Sequence, residues 1–269
     1  MEKILIFDFN NLLYKSVHVG KNIIFNEKVV GGLYTFVTSL AKKINDVKPN
    51  YILFCTDSPP YKRSEDFSAY KSDRIKDAEF SKKLQESREY CTDFLALLHI
   101  NIFRVKGFEA DDLIACLCKH YTDYEKIIVS SDTDFFQLFK HNNVKLLRGD
   151  AFYTHEDFKS EYPNLSFEDF EWVLALAGTH NGIPGIPRIG IKTATKIVKD
   201  VQRFAQLMSD KEVFDKVSLY RSLVKLPYKS EIFSIPPLTY AFNRVQIIQY
   251  LNRFGIELTN NMFDAFSII

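Results

Sequence analysis

Carboxylate side chains follow four separate apolar runs of this sequence. Asp8 comes directly after the first run, and Asp57 follows the second within a few residues. The acids that follow the third and fourth runs are Glu109, Asp111, Asp112, Asp132 and Asp134. Carboxylates gathered in this number repel one another, and burying them without a counter-charge is costly. Their placement therefore indicates a site for metal ions.

The acids are of the type that binds hard divalent cations. Mg²⁺ and Mn²⁺ take oxygen ligands and keep several waters. Two such ions about 4 Å apart can activate a water and stabilise the leaving oxygen of a phosphodiester. Glu109 and Asp112 lie three residues apart, on one face of a helix, with Asp111 beside them. An ordinary solvated helix start would explain the EADD run alone, but not the acids after the other strands.

A second segment combines glycines with positive charge. The stretch IPGIPRIGIKTATKIV begins with a tight turn and leads into a helix predicted to start near Lys192. Backbone N–H groups at such a turn can bind phosphate, and none of these residues reads bases. The candidate phosphate-contacting residues are Gly185, Arg188, Gly190, Lys192, Thr193 and Lys196. A turn that only caps a helix is the alternative.

These two groups need a scaffold that brings them together. The predicted strands are Ile4–Phe7, Tyr51–Phe54, Ile100–Val105 and Lys126–Ser130, and the predicted helices between them are Val29–Val47, Arg74–Leu98 and Glu109–His120. Alternating strands and helices predict an α/β fold with a mainly parallel central sheet. In such a sheet the ligand crevice lies at the carboxyl ends of the strands, which are about 4.8 Å apart. The acids should therefore converge there.

The second part of the chain reads as helical. Helices are predicted over Phe167–Ala177 and near Ala241–Phe254. We expect residues 1–165 to form the α/β core and residues 166–269 a helical region.

Composition limits the classes of protein that remain. The 269 residues are 46% hydrophobic and 26% charged with a net charge of +1, which excludes disordered and low-complexity chains. Gly107–Asp134 carries seven acids and two bases, whereas Ile183–Lys229 carries ten bases and four acids. One region therefore suits cations and the other a polyanion. The four cysteines lack zinc-site spacing, and the apolar run near the N-terminus is too short for a membrane span. We expect an intracellular protein.

Several motifs together resemble the flap endonuclease and 5′–3′ exonuclease family in its compact bacterial and bacteriophage form. They are IFDFNN, LFCTDSPPYKR, YKSDR, GFEADDLIA, SSDTDFFQL and GIPGIPRIGIKTA, which extend over about three quarters of the chain from Asp8 to Lys199. The spacing of FEADD and SDTDF, followed by the glycine turn, is specific to this family. The resemblance implies a PIN-like nuclease core, a helical arch at about residues 60–98, and a helix–three-turn–helix at about residues 170–200.

The resemblance also implies roles for individual residues. It implies a first metal ion held by Asp8, Asp57, Glu109 and Asp111, with Asp112 nearby, and a second held by Asp132, Asp134 and further acids. It implies that Lys71 and Arg74 contact the scissile phosphate, that Tyr70 stacks on a terminal base, and that backbone carbonyls of Gly185–Gly190 hold K⁺. The implied activity is metal-dependent 5′–3′ exonuclease and 5′-flap endonuclease cleavage by a monomer. The implied substrates are branched or nicked DNA, including RNA/DNA primers, and the implied location is the cytoplasm of a bacterium or a phage-infected host cell.

One departure from the family pattern concerns the second metal ion. The family carries an acid, often two, after the helix that ends here at Ala177, but this chain has Gly178–Thr179–His180–Asn181. We therefore expect one well-occupied Mg²⁺ or Mn²⁺ and a weaker second one, with the alternative that Asp112 completes the second site.

Three other functions compete with this one. In a haloacid-dehalogenase-type phosphatase a second acid would stand at Asn10. A PIN-type ribonuclease would lack the arch and the glycine turn. A DNA-binding protein with a weakened site would have no reason to keep seven acids.

Overall fold

The computed structural model describes residues 1–71, 77–179, 182–230 and 233–267. The strands are β1 (Lys3–Asp8), β2 (Ile24–Phe25), β3 (Lys28–Val29), β4 (Tyr51–Cys55), β5 (Ile102–Phe103), β6 (Glu125–Val129), β7 (Val144–Arg148) and β8 (Ala151–Tyr153). The α-helices are α1 (Phe9–Gly20), α2 (Gly31–Val47), α3 (Arg63–Asp66), α4 (Ala78–Leu97), α5 (Ala110–His120), α6 (His155–Glu161), α7 (Phe167–Ala177), α8 (Ile191–Lys199), α9 (Val201–Met208), α10 (Lys211–Val224), α11 (Arg244–Asn252) and α12 (Asn260–Ser267). Short 3₁₀ helices span Thr133–Lys140 and Tyr228–Ser230.

The central sheet has the strand order β5–β4–β1–β6–β7–β8. All neighbours pair in parallel except β7 and β8, which are antiparallel. The predicted mainly parallel sheet flanked by helices is confirmed. The predicted strand Ile100–Val105 is shorter than expected, because only Ile102–Phe103 pairs with β4 at the edge of the sheet. β7, β8 and the β2–β3 ribbon were not predicted.

The sheet is buried on both faces. Successive side chains of a strand point to opposite faces, so in β1 Leu5 and Phe7 belong to one core and Ile4 and Ile6 to the other. Helices α1, α2, α4, α11 and α12 contribute to the core with Leu5 and Phe7. Helices α5, α7, α8 and α10, with the first 3₁₀ helix, contribute to the core with Ile4 and Ile6.

The last two helices return to the N-terminal part of the fold. α12 packs against α2, and α11 packs against α4. Ile247 and Phe266 are fully buried there, beside residues of α1 and α2. Although the sequence assigned residues 166–269 to one helical region, α11 and α12 share a core with the N-terminal helices because their apolar side chains cover the same face of the sheet.

Helix boundaries follow local capping. Asp77 precedes α4, and its carboxylate accepts the N–H groups of Glu79 and Phe80 at 2.9 and 3.1 Å. Acceptors of this kind stabilise the first turn of a helix. The helix predicted from Arg74 therefore begins at Ala78 among the described residues, and residues 72–76 lie outside them. Within the described part of the chain, no helix has the length and apolarity needed to cross a membrane.

Candidate active site

The first carboxylate lies where β1 meets α1. Asp8 is the N-cap of α1, and its Oδ1 accepts the Asn11 N–H at 3.0 Å. Aspartate is favoured at this position because it satisfies a free amide and interacts well with the helix dipole. Only 8% of Asp8 is exposed. The end of β1 thereby places a buried carboxylate at the carboxyl edge of the sheet.

The second carboxylate ties the loop after β4 to α5. Asp57 Oδ1 accepts the Ala110 N–H at 2.9 Å, and its Oδ2 accepts the Tyr61 hydroxyl at 3.2 Å. The first bond satisfies an amide in the first turn of α5. Asp57 is thereby held beside the acids that begin this helix.

Three acids surround the start of α5. Glu109 is its N-cap and forms a capping box with Asp112, whose Oδ2 accepts the Glu109 N–H at 3.3 Å. Acids are favourable here because the amide dipoles point towards them. Glu109 and Asp112 are buried, whereas Asp111 between them is half-buried.

The last two acids follow β6. Asp132 is the N-cap of the 3₁₀ helix Thr133–Lys140, and its Oδ1 accepts the Asp134 N–H at 2.9 Å. Asp134 and Asp111 line one cleft together with Thr179. The carboxyl ends of β1, β4 and β6 and the start of α5 therefore bring their acids to the same edge, as the sequence predicted.

The raised pKa values of the acids at this edge indicate that they repel one another. Burial, with the nearby charges of Asp57 and Asp132, raises the pKa of Asp8 to about 7. Burial and the charges of Asp132 and Asp8 raise the pKa of Asp111 well above its usual range. Burial and Asp132 do the same for the pKa of Asp134. These carboxylates are close enough to hinder one another's ionisation.

Arg63 contacts two of these acids, a placement that sequence reasoning missed. It is 3% exposed, and its guanidinium bonds Glu109 Oε2 at 2.9 Å and the two oxygens of Asp112 at 2.6 and 2.8 Å. In this structure Arg63, the Glu109 N–H and the Tyr228 N–H hold the carboxylate of Asp112. The interpretation of Asp112 as a metal ligand stays a prediction. Arg63 ends the motif LFCTDSPPYKR, but an arginine after a lysine in sequence does not signal burial.

The donor set fits hard divalent cations, although its members are not gathered around one point. All side chains offered are carboxylates, the oxygen ligands that Mg²⁺ and Mn²⁺ prefer. Among the described residues, no three His, Cys, Asp or Glu side chains already form a ligand set for one ion. The reason is visible at Glu109, because Arg63 and Lys71 hold its two oxygens.

The residues expected to contact substrate differ in their surroundings. Lys71 pairs with Glu109, and its Nζ lies 4.7 Å from the centre of the Tyr61 ring. Tyr70 is only 6% exposed and donates its hydroxyl to Glu109 Oε2 at 2.6 Å. In this structure the ring lies in the core and its hydroxyl is paired with Glu109, so the expected stacking on a base stays a prediction. Arg74 lies outside the described residues.

The glycine turn lies close to this edge and leads into α8, as the sequence predicted. Gly185–Gly190 and α8 together are called the platform. A Cβ on Gly185 would stand 2.4 Å from the Gly178 nitrogen, so the turn requires glycine for the close approach of two backbones. A Cβ on Gly182 would stand 2.9 Å from the Lys71 nitrogen, so the turn also contacts the start of the predicted arch. Gly190 then caps α8.

The expected phosphate contacts of this platform are exposed or half-buried, apart from Gly185. Arg188, Gly190, Lys192 and Lys196 are exposed, and Thr193 is half-buried. Gly185 is buried and has a positive φ of 68°. The side chains of α8 can therefore meet a polyanion, whereas Gly185 acts through the shape of the turn.

Thr179 lies in the segment after α7, where the family pattern has an acid. Its N–H donates to the Ile183 carbonyl at 2.9 Å, and the residue lines the cleft beside Asp111 and Asp134. A hydroxyl there brings no negative charge. His180 and Asn181 lie outside the described residues.

Asn10 argues against a haloacid-dehalogenase-type phosphatase, which would have a general acid at this position. Its Oδ1 accepts Arg88 Nη2 at 2.7 Å and the Thr56 hydroxyl at 3.2 Å. An amide held in this way has no proton to transfer, so the position cannot supply a general acid.

Residues 3–163 match the family model described as 5′-3′ exonuclease, N-terminal resolvase-like domain. A 5′-3′ exonuclease of Buchnera aphidicola subsp. Schizaphis graminum is 30% identical, over 82% of this chain and 76% of that protein. DNA polymerase I of Bacillus subtilis is 25% identical over 95% of this chain. The chain spans about a quarter to a third of the length of the DNA polymerase I relatives of Caldicellulosiruptor bescii and Bacillus subtilis.

Solved structures share the fold. The D15 protein of T5, co-crystallised with metal ions, superposes with a TM-score of 0.66 at 18% identity, over 99% of both chains. Flap endonuclease-1 from Methanococcus jannaschii gives a TM-score of 0.67 at 16% identity, over 99% of this chain and 92% of that one. At such identities the likeness concerns the arrangement of elements around the sheet.

Proposed function

Because this chain belongs to the 5′-3′ exonuclease family, we propose that it is a divalent-metal-dependent nuclease that hydrolyses phosphodiesters in DNA. Its substrates would be 5′ flaps, nicks and RNA/DNA primers at junctions of single and double strands. Cleavage would occur close to the junction, as 5′–3′ exonuclease and 5′-flap endonuclease activity.

The observation that carries this proposal is the repulsion among buried acids at one edge of the sheet. Asp8, which ends β1, has a pKa of about 7 because of burial and its neighbours Asp57 and Asp132. A protein gains nothing in stability from such an arrangement, since each ionised group disfavours the next. A cation that binds there removes the repulsion, which supports a metal-dependent activity.

Each group in the site has a role that follows from its position. Asp8, Asp57, Glu109 and Asp111 would hold one divalent cation, and Asp132 and Asp134 a second. When bound there, such cations would supply an activated water and stabilisation of the leaving oxygen of a phosphodiester. Lys71 would move from Glu109 to the scissile phosphate and stabilise its developing charge, with Arg74 beside it in sequence. Tyr70 and Tyr61 would orient Glu109 and Asp57 through their hydroxyls.

Duplex binding would fall to the platform of Gly185–Gly190 and α8. Lys192 and Lys196 are exposed on α8, and Arg188 is exposed on the turn. These residues would contact phosphates and not base edges, so binding would be independent of sequence and sensitive to salt. We infer that backbone carbonyls of the turn bind K⁺, which DNA-binding titrations in K⁺ and in Li⁺ would reveal.

Further parts of the proposal concern cofactor, assembly and location. Mg²⁺ would be the working ion with Mn²⁺ as a substitute, and the second ion would bind more weakly because Thr179 adds no charge. The chain would act as a monomer in the cytoplasm. Residues 1–165 would form the nuclease core, and the helices from residue 166 up to α10 the DNA-binding region.

One experiment separates this function from its rivals. The protein is incubated with a 5′-flap duplex and with a single-stranded RNA, in Mg²⁺ and in EDTA. We expect Mg²⁺-dependent cleavage of the flap duplex near its junction. Cleavage of the RNA alone would favour a PIN-type ribonuclease, and tight binding of the duplex without cleavage would favour a catalytically weakened DNA-binding protein.

A further inference from the structure

Arg63 is the centre of a buried polar network that joins two distant parts of the chain. Its Nη1 and Nη2 bond both oxygens of Asp112, and its Nη1 also bonds Glu109. Its Nε donates to the Leu223 carbonyl at 2.7 Å, and its Nη2 lies 3.5 Å from the Lys225 carbonyl. The guanidinium carbon stands 4.7 Å from the centre of the Tyr228 ring. One side chain therefore contacts the candidate metal site and the segment that follows α10.

The segment 223–229 is held to the core by polar contacts along its length. Gln137 Nε2 donates to the Val224 carbonyl at 3.0 Å, and Gln137 Oε1 accepts the Leu226 N–H at 3.2 Å. The Tyr228 N–H donates to Asp112 Oδ1 at 2.8 Å. Asp66 accepts the Tyr228 hydroxyl and pairs with Lys229 at 2.9 Å. Arg63 and Gln137 thus hold the same segment, but of these two only Arg63 bonds Glu109.

The network is an unusual use of a buried charge. Burial by itself would lower the pKa of Arg63, yet Asp112 and Glu109 raise it above its usual value, so the guanidinium stays charged. A buried ion pair is often no more stabilising than apolar residues of the same volume. The planar fork of arginine can, however, fix two carboxylates in direction as well as in distance. This favours a role in orientation.

We propose that Arg63 is a positioning residue of the active site. It holds the carboxylate of Glu109 at the edge shared with Asp57 and Asp111, and Asp112 serves to hold Arg63. Through the carbonyls of residues 223 and 225, the same guanidinium fixes the end of α10 relative to Glu109. The nuclease site and the helical region are thereby kept in one geometry. This inference rests on the proposed nuclease function.

The first test removes the ion pair in two ways. Arg63→Met leaves the Asp112 carboxylate buried without its cation, so we expect unfolding about 10 °C below wild type. The double variant Arg63→Met/Asp112→Asn removes both charges and keeps an oxygen for the Tyr228 N–H, so it should recover more than half of that loss. Its kcat on the 5′-flap duplex should nevertheless stay about 100-fold low, with KM changed less than about threefold, because Glu109 is no longer held. A double variant that recovers kcat together with its melting temperature would overturn the proposal.

Gln137→Met is the matched control. It loosens the same segment from a buried position without a bond to Glu109. We expect a lower melting temperature and a kcat within about threefold of wild type. A loss of kcat equal to that of the Arg63 variants, at an equal loss of melting temperature, would show that Arg63 acts only on stability and would overturn the proposal.

If the double variant does not fold, Arg63→Lys tests the proposal. Lysine keeps the charge but cannot reach two carboxylates and two carbonyls at once. We expect a folded protein with kcat about 10-fold low, and amide exchange of residues 226 and 228 at least about 10-fold faster without metal or DNA. Wild-type kcat with unchanged amide exchange would overturn the positioning role. Cleavage by the wild-type protein tests the proposed function separately, because the positioning claim concerns only ratios of variant to wild type and the exchange rates.

Discussion

The two sides of the acidic edge are neutralised differently. At the start of α5, Glu109 and Asp112 pair with Arg63, and Glu109 also pairs with Lys71. After β6, no cation among the described residues forms an ion pair with Asp132 or Asp134. The first side is therefore held by the chain's own cations, whereas the pKa of Asp134 rises because burial and Asp132 oppose its ionisation. Carboxylates that lack an internal cation are the ones that depend most on an external one.

The largest expected effect is on the side without an internal cation. Asp132→Ala removes a carboxylate that interacts with Asp8, Asp111 and Asp134. We expect cleavage of the 5′-flap duplex to fall by at least about 1,000-fold, because a proposed ligand of the second ion is lost. DNA affinity, measured by fluorescence anisotropy in Ca²⁺, should remain within about threefold. Turnover near wild type in saturating Mg²⁺ would rule out this site.

A smaller effect is expected from replacing Lys71, the internal cation that would move from Glu109 to the scissile phosphate. Lys71→Ala should lower kcat about 100-fold with little change in KM, if the ammonium group acts on transition-state charge. Single-turnover cleavage in saturating enzyme measures this directly.

Lys196→Ala is the matched control for Lys71, since both replace one lysine by alanine. Lys196 is exposed on α8, so its loss should weaken binding of any duplex and reduce the salt slope by about one, with kcat unchanged. If both variants lose only affinity, Lys71 has no role in the chemical step.

A carboxylate added to the side without an internal cation should strengthen Mg²⁺ binding a few-fold. Thr179 lies beside Asp134 in the cleft, and Thr179→Asp supplies the charge that this side lacks. We expect the Mg²⁺ concentration for half-maximal cleavage to fall about fivefold, since more anionic ligands strengthen a hard-cation site. The matched variant Thr179→Asn adds a carbonyl oxygen without charge. An equal fall with both variants would attribute the effect to shape and not to charge.

The smallest expected effect is on how the stability of the metal-free protein changes with pH. The pKa of Asp8 is raised in the folded state, to about 7, from an unfolded value near 4. The folded protein therefore binds a proton more tightly than the unfolded chain between these values. The associated stability is fully present below about pH 4 and is lost as pH rises through 7.

Asp8→Asn tests this directly by thermal unfolding in EDTA. The variant should lose less stability than wild type between pH 5 and 8, and should melt a few degrees higher than wild type at pH 8. It should also lose the stabilisation that Mg²⁺ confers on wild type. Parallel pH profiles for the two proteins would contradict the pKa assigned to Asp8.

Much of the fold and of the site was predictable from sequence, because both depend on local patterns. Buried strands appear as apolar runs in the sequence, and the acids of the site follow directly after these runs. The family assignment made from the FEADD and SDTDF motifs and the glycine turn is confirmed. The shortened strand Ile102–Phe103 was less predictable, since its pairing depends on which strand lies at the edge.

The roles of individual side chains were less predictable than their places. Asp111 and Asp112 are neighbours with the same chemistry, yet one lines the cleft and the other is held by Arg63. A helix turns about 100° per residue, so the two carboxylates leave α5 in different directions. Only the packing of the loop around Arg63 decides which one meets a guanidinium.

By itself the sequence determined the type of sheet, the edge at which the acids meet and the basic turn beside it, since strand order along the chain and charge are local properties. The tertiary structure alone decided that Arg63 is buried, that Tyr70 faces Glu109 instead of solvent, and that α11 and α12 return to the N-terminal core. These outcomes depend on contacts between residues more than 30 positions apart in the chain. Such contacts are selected by the apolar area they bury and by the polar groups they satisfy, which the order of residues does not display.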